Sequence, residues 1–193
     1  MDTVSTNKKR NLIIAAIIAM ILAAVIAGAA FLQSALLPDG ASSDAIADLM
    51  PGDVQDPLIG QQAPDFTFTD EQGTELRLSD FAGTPVVLNF WASWCPPCRI
   101  EKPEFQQAYE QYGNEVKFIM LNADESVEVA RAYTDEEGYT FPVYFDTAGE
   151  GAFAFEVTGI PETFIINTDG AIVARFLGAT GFTTLQRAIQ NMH

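Results

Sequence analysis

Thiols and imidazoles are scarce in this chain of 193 residues: it has two cysteines and one histidine, and the histidine is the terminal residue His193. A structural zinc site needs four nitrogen or sulfur ligands, and hydrolysis by a cysteine nucleophile needs a histidine to take its proton, so neither chemistry is supported. Positive charge is equally short. Ten Lys and Arg face twenty-six Asp and Glu for a net charge of −16, and no basic residue stands between Arg10 and Arg77. Such a field repels phosphate backbones and anionic lipid, which counts against nucleic acid as a partner and favours neutral or basic ones; its simplest consequence is solubility. The folded part also lacks internal repeats and low-complexity tracts.

What the N-terminus has instead is one long apolar run. Behind Lys8, Lys9 and Arg10, the stretch Leu12–Leu32 carries no charge and matches the ~20 residues of a bilayer-spanning helix. With its flanks it defines a transmembrane signal-anchor over residues 11–37. The basic cluster places residues 1–10 in the cytoplasm and all that follows outside, so the protein is expected to be a single-pass protein of a bacterial cytoplasmic (inner) membrane. A cleaved signal peptide is the alternative, since Ala27-Gly28-Ala29 offers a cleavage site, but the run exceeds the ~7–15 residues usual for such a segment. Residues 38–57, PDGASSDAIADLMPGDVQDP, are acidic and too poor in large apolar side chains to order themselves, and read as a flexible linker. The folded domain spans 58–193.

Strand and helix signals alternate within it. Phe66–Thr69 alternates aromatic and polar residues, with a turn over Asp70–Gly73 leading to Leu76 and Leu78, and Val86–Trp91 is an apolar run suited to a strand covered on both faces. Pro96 and Pro97 suit the first turn of a helix that runs to about Tyr112 and ends at Gly113, with a kink expected at Pro103. A strand at Val116–Leu121, a helix at Ser126–Glu137 closed by Gly138 and a strand at Val143–Phe145 follow. Asp169-Gly170 then marks a hairpin between Thr163–Ile166 and Ala171–Ala174. Leu185, Ala188, Ile189 and Met192 fall at helical spacing behind a capping Thr183 or Thr184. The sum is α/β, a central mixed sheet flanked by helices.

Both cysteines lie in NFWASWCPPCRIEKPEF, three positions apart. A disulfide stabilises mainly by closing a long loop in the unfolded chain, so a bridge this short is a poor staple and the pair reads as redox chemistry. At a helix N-terminus the unpaired N–H groups favour a thiolate at Cys95, the expected nucleophile, and Cys98 one turn later can resolve the mixed disulfide.

WCPPC behind an apolar strand, Pro103 in the helix and the later Gly159-Ile160-Pro161-Glu162-Thr163-Phe164 together resemble the thioredoxin superfamily, and more closely its membrane-anchored TlpA/ResA/CcmG-type thiol:disulfide oxidoreductases, over about Ile59 to His193. The resemblance implies a thioredoxin-like fold, a cis peptide at Pro161 facing the cysteines, and a substrate surface that includes Trp94, Pro96, Ile160 and Glu162. It implies no cofactor beyond the Cys95–Cys98 disulfide. Asn89 stands where cytoplasmic thioredoxins carry a buried acid. Glu101 matches an acid of the ResA-like group and is expected to take the Cys98 proton, its pKa raised by partial burial; the alternative is a solvated helix acid. Glu162 matches the PETF sequence of the cytochrome c maturation branch and would tune the thiols by like-charge repulsion, unless it is a surface acid. Trp94 is expected beside the disulfide and Trp91 in the core.

Three functions are compatible with these features. The first is a tethered reductase of protein disulfides, with apocytochrome c as client and a DsbD/CcdA-type membrane electron donor. A peroxidase is the second, because IGQQAPDFTFTDEQGTELRLSDFAG resembles peroxiredoxins, although Ala92 occupies the position of their threonine. The third is a Cu(I) carrier on two thiolates.

Overall fold

The computed structural model describes residues 56–192 and, ahead of them, Met20. The basic N-terminus over 1–10, the apolar segment apart from Met20, the linker as far as residue 55 and His193 lie outside the described residues. Among the described residues no helix is long and apolar enough to cross a membrane.

Among the described residues, β1 (Thr67–Thr69), β2 (Glu75–Arg77), β3 (Val86–Trp91), β4 (Lys117–Asn122), β5 (Val143–Phe145), β6 (Glu162–Ile166) and β7 (Ile172–Leu177) form one sheet in the order β2-β1-β5-β4-β3-β6-β7. The central β3, β4 and β5 are parallel, while β6 joins β3 and β7 antiparallel and β1 joins β5 and β2 antiparallel. The helices are α1 (Pro96–Tyr112), α2 (Val127–Glu137), α3 (Glu150–Ala154) and α4 (Phe182–Gln190), with a short 3₁₀ turn at Leu78–Phe81. This is the mixed sheet flanked by helices expected from the sequence.

Every residue of β3 is buried, as its apolar run predicts. Alternation sends Val87 and Trp91 into a core with residues of α1, α2 and α4, and Val86, Leu88 and Phe90 into a second core with Phe66, Phe155 and Phe164. Each such Val, Leu or Phe contributes about 1.5–3 kcal/mol by leaving water. The register is therefore firmly set, and with it the position of Asn89 on the α1 face: a one-residue slip would turn Asn89 into the phenylalanine cluster.

Helix α1 opens with Pro96 and Pro97 in its first turn and buries Cys98, Glu101, Lys102, Phe105 and Ala108, a stripe at three- and four-residue spacing. Pro103 lies inside it, on the exposed side. In α2 the Ser126 hydroxyl accepts the Val129 N–H and Gly138 closes the helix at φ 74°, a left-handed conformation that favours glycine. The start of α4 differs from expectation. Thr183 and Thr184 lie within the helix, and its N-cap, Gly181, has no side chain to offer. The Glu104 carboxylate of α1 instead accepts the Phe182 N–H at 2.8 Å, which puts a negative charge at the positive end of α4.

Candidate active site

The chain leaves β3 at its C-terminal end and turns directly into α1, a place where open α/β sheets offer their loops to ligands. Cys95 is the N-cap of α1 in an extended conformation, and its Sγ accepts the Cys98 N–H at 3.4 Å. The two cysteines form a disulfide across a Cα–Cα distance of 5.2 Å. Cys95 retains 3% exposure and Cys98 none, so of the two cysteines Cys95 alone keeps any surface toward solvent. The Ile160 carbonyl oxygen lies 3.6 Å from Cys95 Sγ, and the Ile160–Pro161 peptide is cis. Two segments 65 residues apart thus meet at one sulfur.

One turn further along α1, three residues after Cys98, Glu101 anchors a buried polar network. Glu101 is 1% exposed; it accepts the Asn89 side-chain N–H at 2.8 Å, the Lys102 ammonium at 3.2 Å and the Thr180 backbone N–H at 3.1 Å. Asn89 also donates to the Thr163 hydroxyl at 3.0 Å and accepts from Lys102 at 2.8 Å. Burial raises the Glu101 pKa above its ordinary value, against the opposing pull of Lys102, Asn89 and Thr180. Burial likewise pushes Lys102 down to about 8, with Glu101 opposing. The ammonium sits 4.9 Å from the Trp91 ring centroid and 5.2 Å from that of Phe105. A full charge and its counter-charge are thus held out of water, where each depends on the other.

The remaining sequence candidates divide. Pro161 is buried, Ile160 half-buried and Pro96 exposed around Cys95. Trp94 is 61% exposed, and Trp91 is fully buried. Glu162, expected on the substrate surface, is 0% exposed. Its position in β6 follows that of Phe164, in the core on the face away from α1, and Arg175 of β7 donates Nε–H to one carboxylate oxygen. Arg175 also pairs with Asp56 at 3.2 Å, so the residue after Pro161 is linked to the first described residue of the domain. Burial raises the Glu162 pKa and Arg175 opposes it. Like-charge repulsion of the thiols by Glu162 is corrected accordingly: the acid is partnered, on the other side of the sheet.

Sequence reasoning missed Lys102, Thr163, Thr180 and Arg175. A signal existed for one of them. Lys102 lies four residues after Cys98 and three before Phe105, on the apolar stripe of α1, where an unpaired lysine does not belong. The others act across 74 to 79 residues or through the β6–β7 hairpin, and nothing local marks them. Among the described residues no group of three or more His, Cys, Asp or Glu could hold a metal ion.

A disulfide capping a helix, opposite a cis proline and at the C-terminal edge of a mixed sheet, defines a thioredoxin-fold oxidoreductase. Comparison with known proteins specifies it further. The AhpC/TSA family pattern matches residues 59–175. The thiol-disulfide oxidoreductase ResA of Bacillus thuringiensis subsp. konkukian is 36% identical over 121 residues, 62% of this chain and 70% of the relative. The crystal structure of StoA from Bacillus subtilis aligns with a TM-score of 0.58 at 27% identity, covering 66% of this chain and 97% of that one. That of a Chlorobium tepidum protein assigned as thiol:disulfide interchange protein DsbE gives 0.63 at 30%, covering 69% and 96%. The chain belongs to the AhpC/TSA family within the thioredoxin superfamily, and is a ResA/TlpA-like thiol:disulfide oxidoreductase working through Cys95 and Cys98.

Proposed function

We propose that the protein is a membrane-tethered reductase of protein disulfides, with its catalytic domain on the extracytoplasmic side of a bacterial cytoplasmic membrane. Apocytochrome c is the proposed client and a DsbD/CcdA-type membrane protein the proposed electron donor. The tether rests on the uncharged run Leu12–Leu32 behind its basic cluster. Reduction in a compartment that favours disulfides needs such a dedicated source beside the enzyme. The Cys95–Cys98 pair is the only redox group the proposal invokes.

The observation that carries the reading is Glu101, buried one helical turn after Cys98 and held by three donors. In the reduced protein the Cys95 thiolate attacks one sulfur of a substrate disulfide, forming a mixed disulfide and expelling the other substrate sulfur as a thiolate. Cys98 then passes its proton to the Glu101 carboxylate, and its thiolate attacks Cys95 Sγ. The second substrate thiolate leaves, and Cys95–Cys98, now a disulfide, has lost the two electrons the substrate has gained. Lys102 and Asn89 hold the Glu101 carboxylate in place while its raised pKa makes it a better base.

The reduction potential of the pair, measured in the full-length chain against defined thiol buffers, tests the direction. A value near thioredoxin's, about −270 mV, is expected; one near about −120 mV would mean that the protein inserts disulfides. Glu101→Gln tests the proton path. With Glu101 as acceptor, turnover rises with pH as the carboxyl ionises, in a limb lying above pH 4.5 because the pKa is raised. In Glu101→Gln this limb should vanish, leaving a slower rate that climbs only as Cys98 ionises unaided. An unchanged pH–rate profile would remove Glu101 from the mechanism.

A further inference from the structure

The turn between β3 and the redox helix is short, and its only internal bond is the Cys95 N–H donated to the Ala92 carbonyl at 3.3 Å. Something else holds it. From the β4–α2 loop, 32 residues away, the Glu125 carboxylate accepts the Ser93 backbone N–H at 2.6 Å through one oxygen and the Ser93 hydroxyl through the other. The acid is itself fixed: the Asn122 side chain donates to it at 2.7 Å, and Asn122 Oδ1 accepts the Glu125 N–H at 2.9 Å. The Ala123 N–H donates to the Trp91 carbonyl at 3.0 Å, so the two loops are joined at both ends of the same short stretch. Glu125 also directly precedes Ser126, the N-cap of α2.

We propose that Glu125 is the positioning residue of the redox loop: by gripping both donors of Ser93 it fixes the approach of Cys95, two residues on, to the incoming substrate sulfur. This rests on Cys95 being the attacking thiol. A thiolate must meet a disulfide along the line of the bond it breaks, and a displacement of about 1 Å can cost on the order of a hundredfold in rate. The carboxylate accepts from both Ser93 donors and from Asn122 together, in charge-assisted bonds that an amide would replace with weaker neutral ones.

The test uses full-length chain, with reduction of a protein disulfide followed to separate kcat from KM. Glu125→Gln keeps the size but loses the charge that strengthens all three bonds, and its NH₂ must reverse the bond to the Ser93 hydroxyl. Its kcat is expected to fall about tenfold at unchanged KM, with the urea midpoint near that of the parent. Ser93→Ala, which loses the hydroxyl and keeps the N–H, should slow about threefold, and the double variant should be no slower than Glu125→Gln alone, because both changes open one clasp. Parental kcat in Glu125→Gln, effects that multiply independently, or a kcat that merely tracks the folded fraction would each overturn the proposal. Alkylation of the reduced chain located by mass spectrometry separates the two ideas. Label at Cys98 in place of Cys95 removes the attacking-thiol assignment, while label at Cys95 with parental kcat in Glu125→Gln removes the clasp alone.

Discussion

Lys102→Met is expected to destabilise the domain by about 3 kcal/mol at pH 7, below the Lys102 pKa of about 8, and by less toward pH 5. The lysine is fully buried with its ammonium bonded to Asn89 and Glu101, so removing it strands a carboxylate in the core; breaking one side of a buried pair typically costs about 3–5 kcal/mol. The pH dependence follows from the remaining partner. Glu101 already has a raised pKa, and loss of the cation raises it further. Above pH 4.5 the folded state then binds a proton the unfolded chain has released, so unfolding free energy falls as pH rises through that window. Urea midpoints at the two pH values measure this. Glu101→Gln combined with Lys102→Met removes both charges and should recover much of the loss; if Lys102→Met alone leaves the midpoint unmoved at pH 7, the pair is not a stabilising unit.

Cys98→Ser is expected to stop turnover after a single event. With the inner sulfur gone, Cys95 still attacks a substrate disulfide but nothing inside the protein can displace it, so a covalent adduct of one substrate per chain should build up. The adduct should survive non-reducing electrophoresis and fall apart with dithiothreitol. Cys95→Ser should form no adduct, because Cys98 has no exposed edge from which to attack. The opposite pattern, an adduct on Cys98 in Cys95→Ser, would exchange the two roles.

Much of this framework is legible in the sequence, for reasons that can be located. The β3 run, the Pro96 start of α1, the Ser126 and Gly138 ends of α2 and the Asp169-Gly170 turn are signals written within a few residues of the structure they determine. The helix α3 escapes such reading because five residues after Gly149 carry no period, and its Gly151 is dictated by the Phe66 ring, which a Cβ there would meet at 2.5 Å. Glu104 capping α4 escapes it too, since the acceptor comes from 78 residues away. In the site, the cysteines and Lys102 are visible locally, whereas the other groups that hold Glu101 and Ser93 become neighbours only when the sheet and α1 are assembled.

The spacing of Cys95 and Cys98 ties folding to electron transfer through a closed thermodynamic cycle. Three residues of separation constrain the unfolded chain little, so oxidising the unfolded protein resembles oxidising a short peptide. Any gap between the enzyme's potential and that of such a peptide must then equal the difference in conformational stability between its oxidised and reduced forms, with about 30 mV for every 1.4 kcal/mol. Two denaturation curves, one with the disulfide and one without it, would therefore report what the first turn of α1 does for a thiolate, with no electrode and no redox buffer.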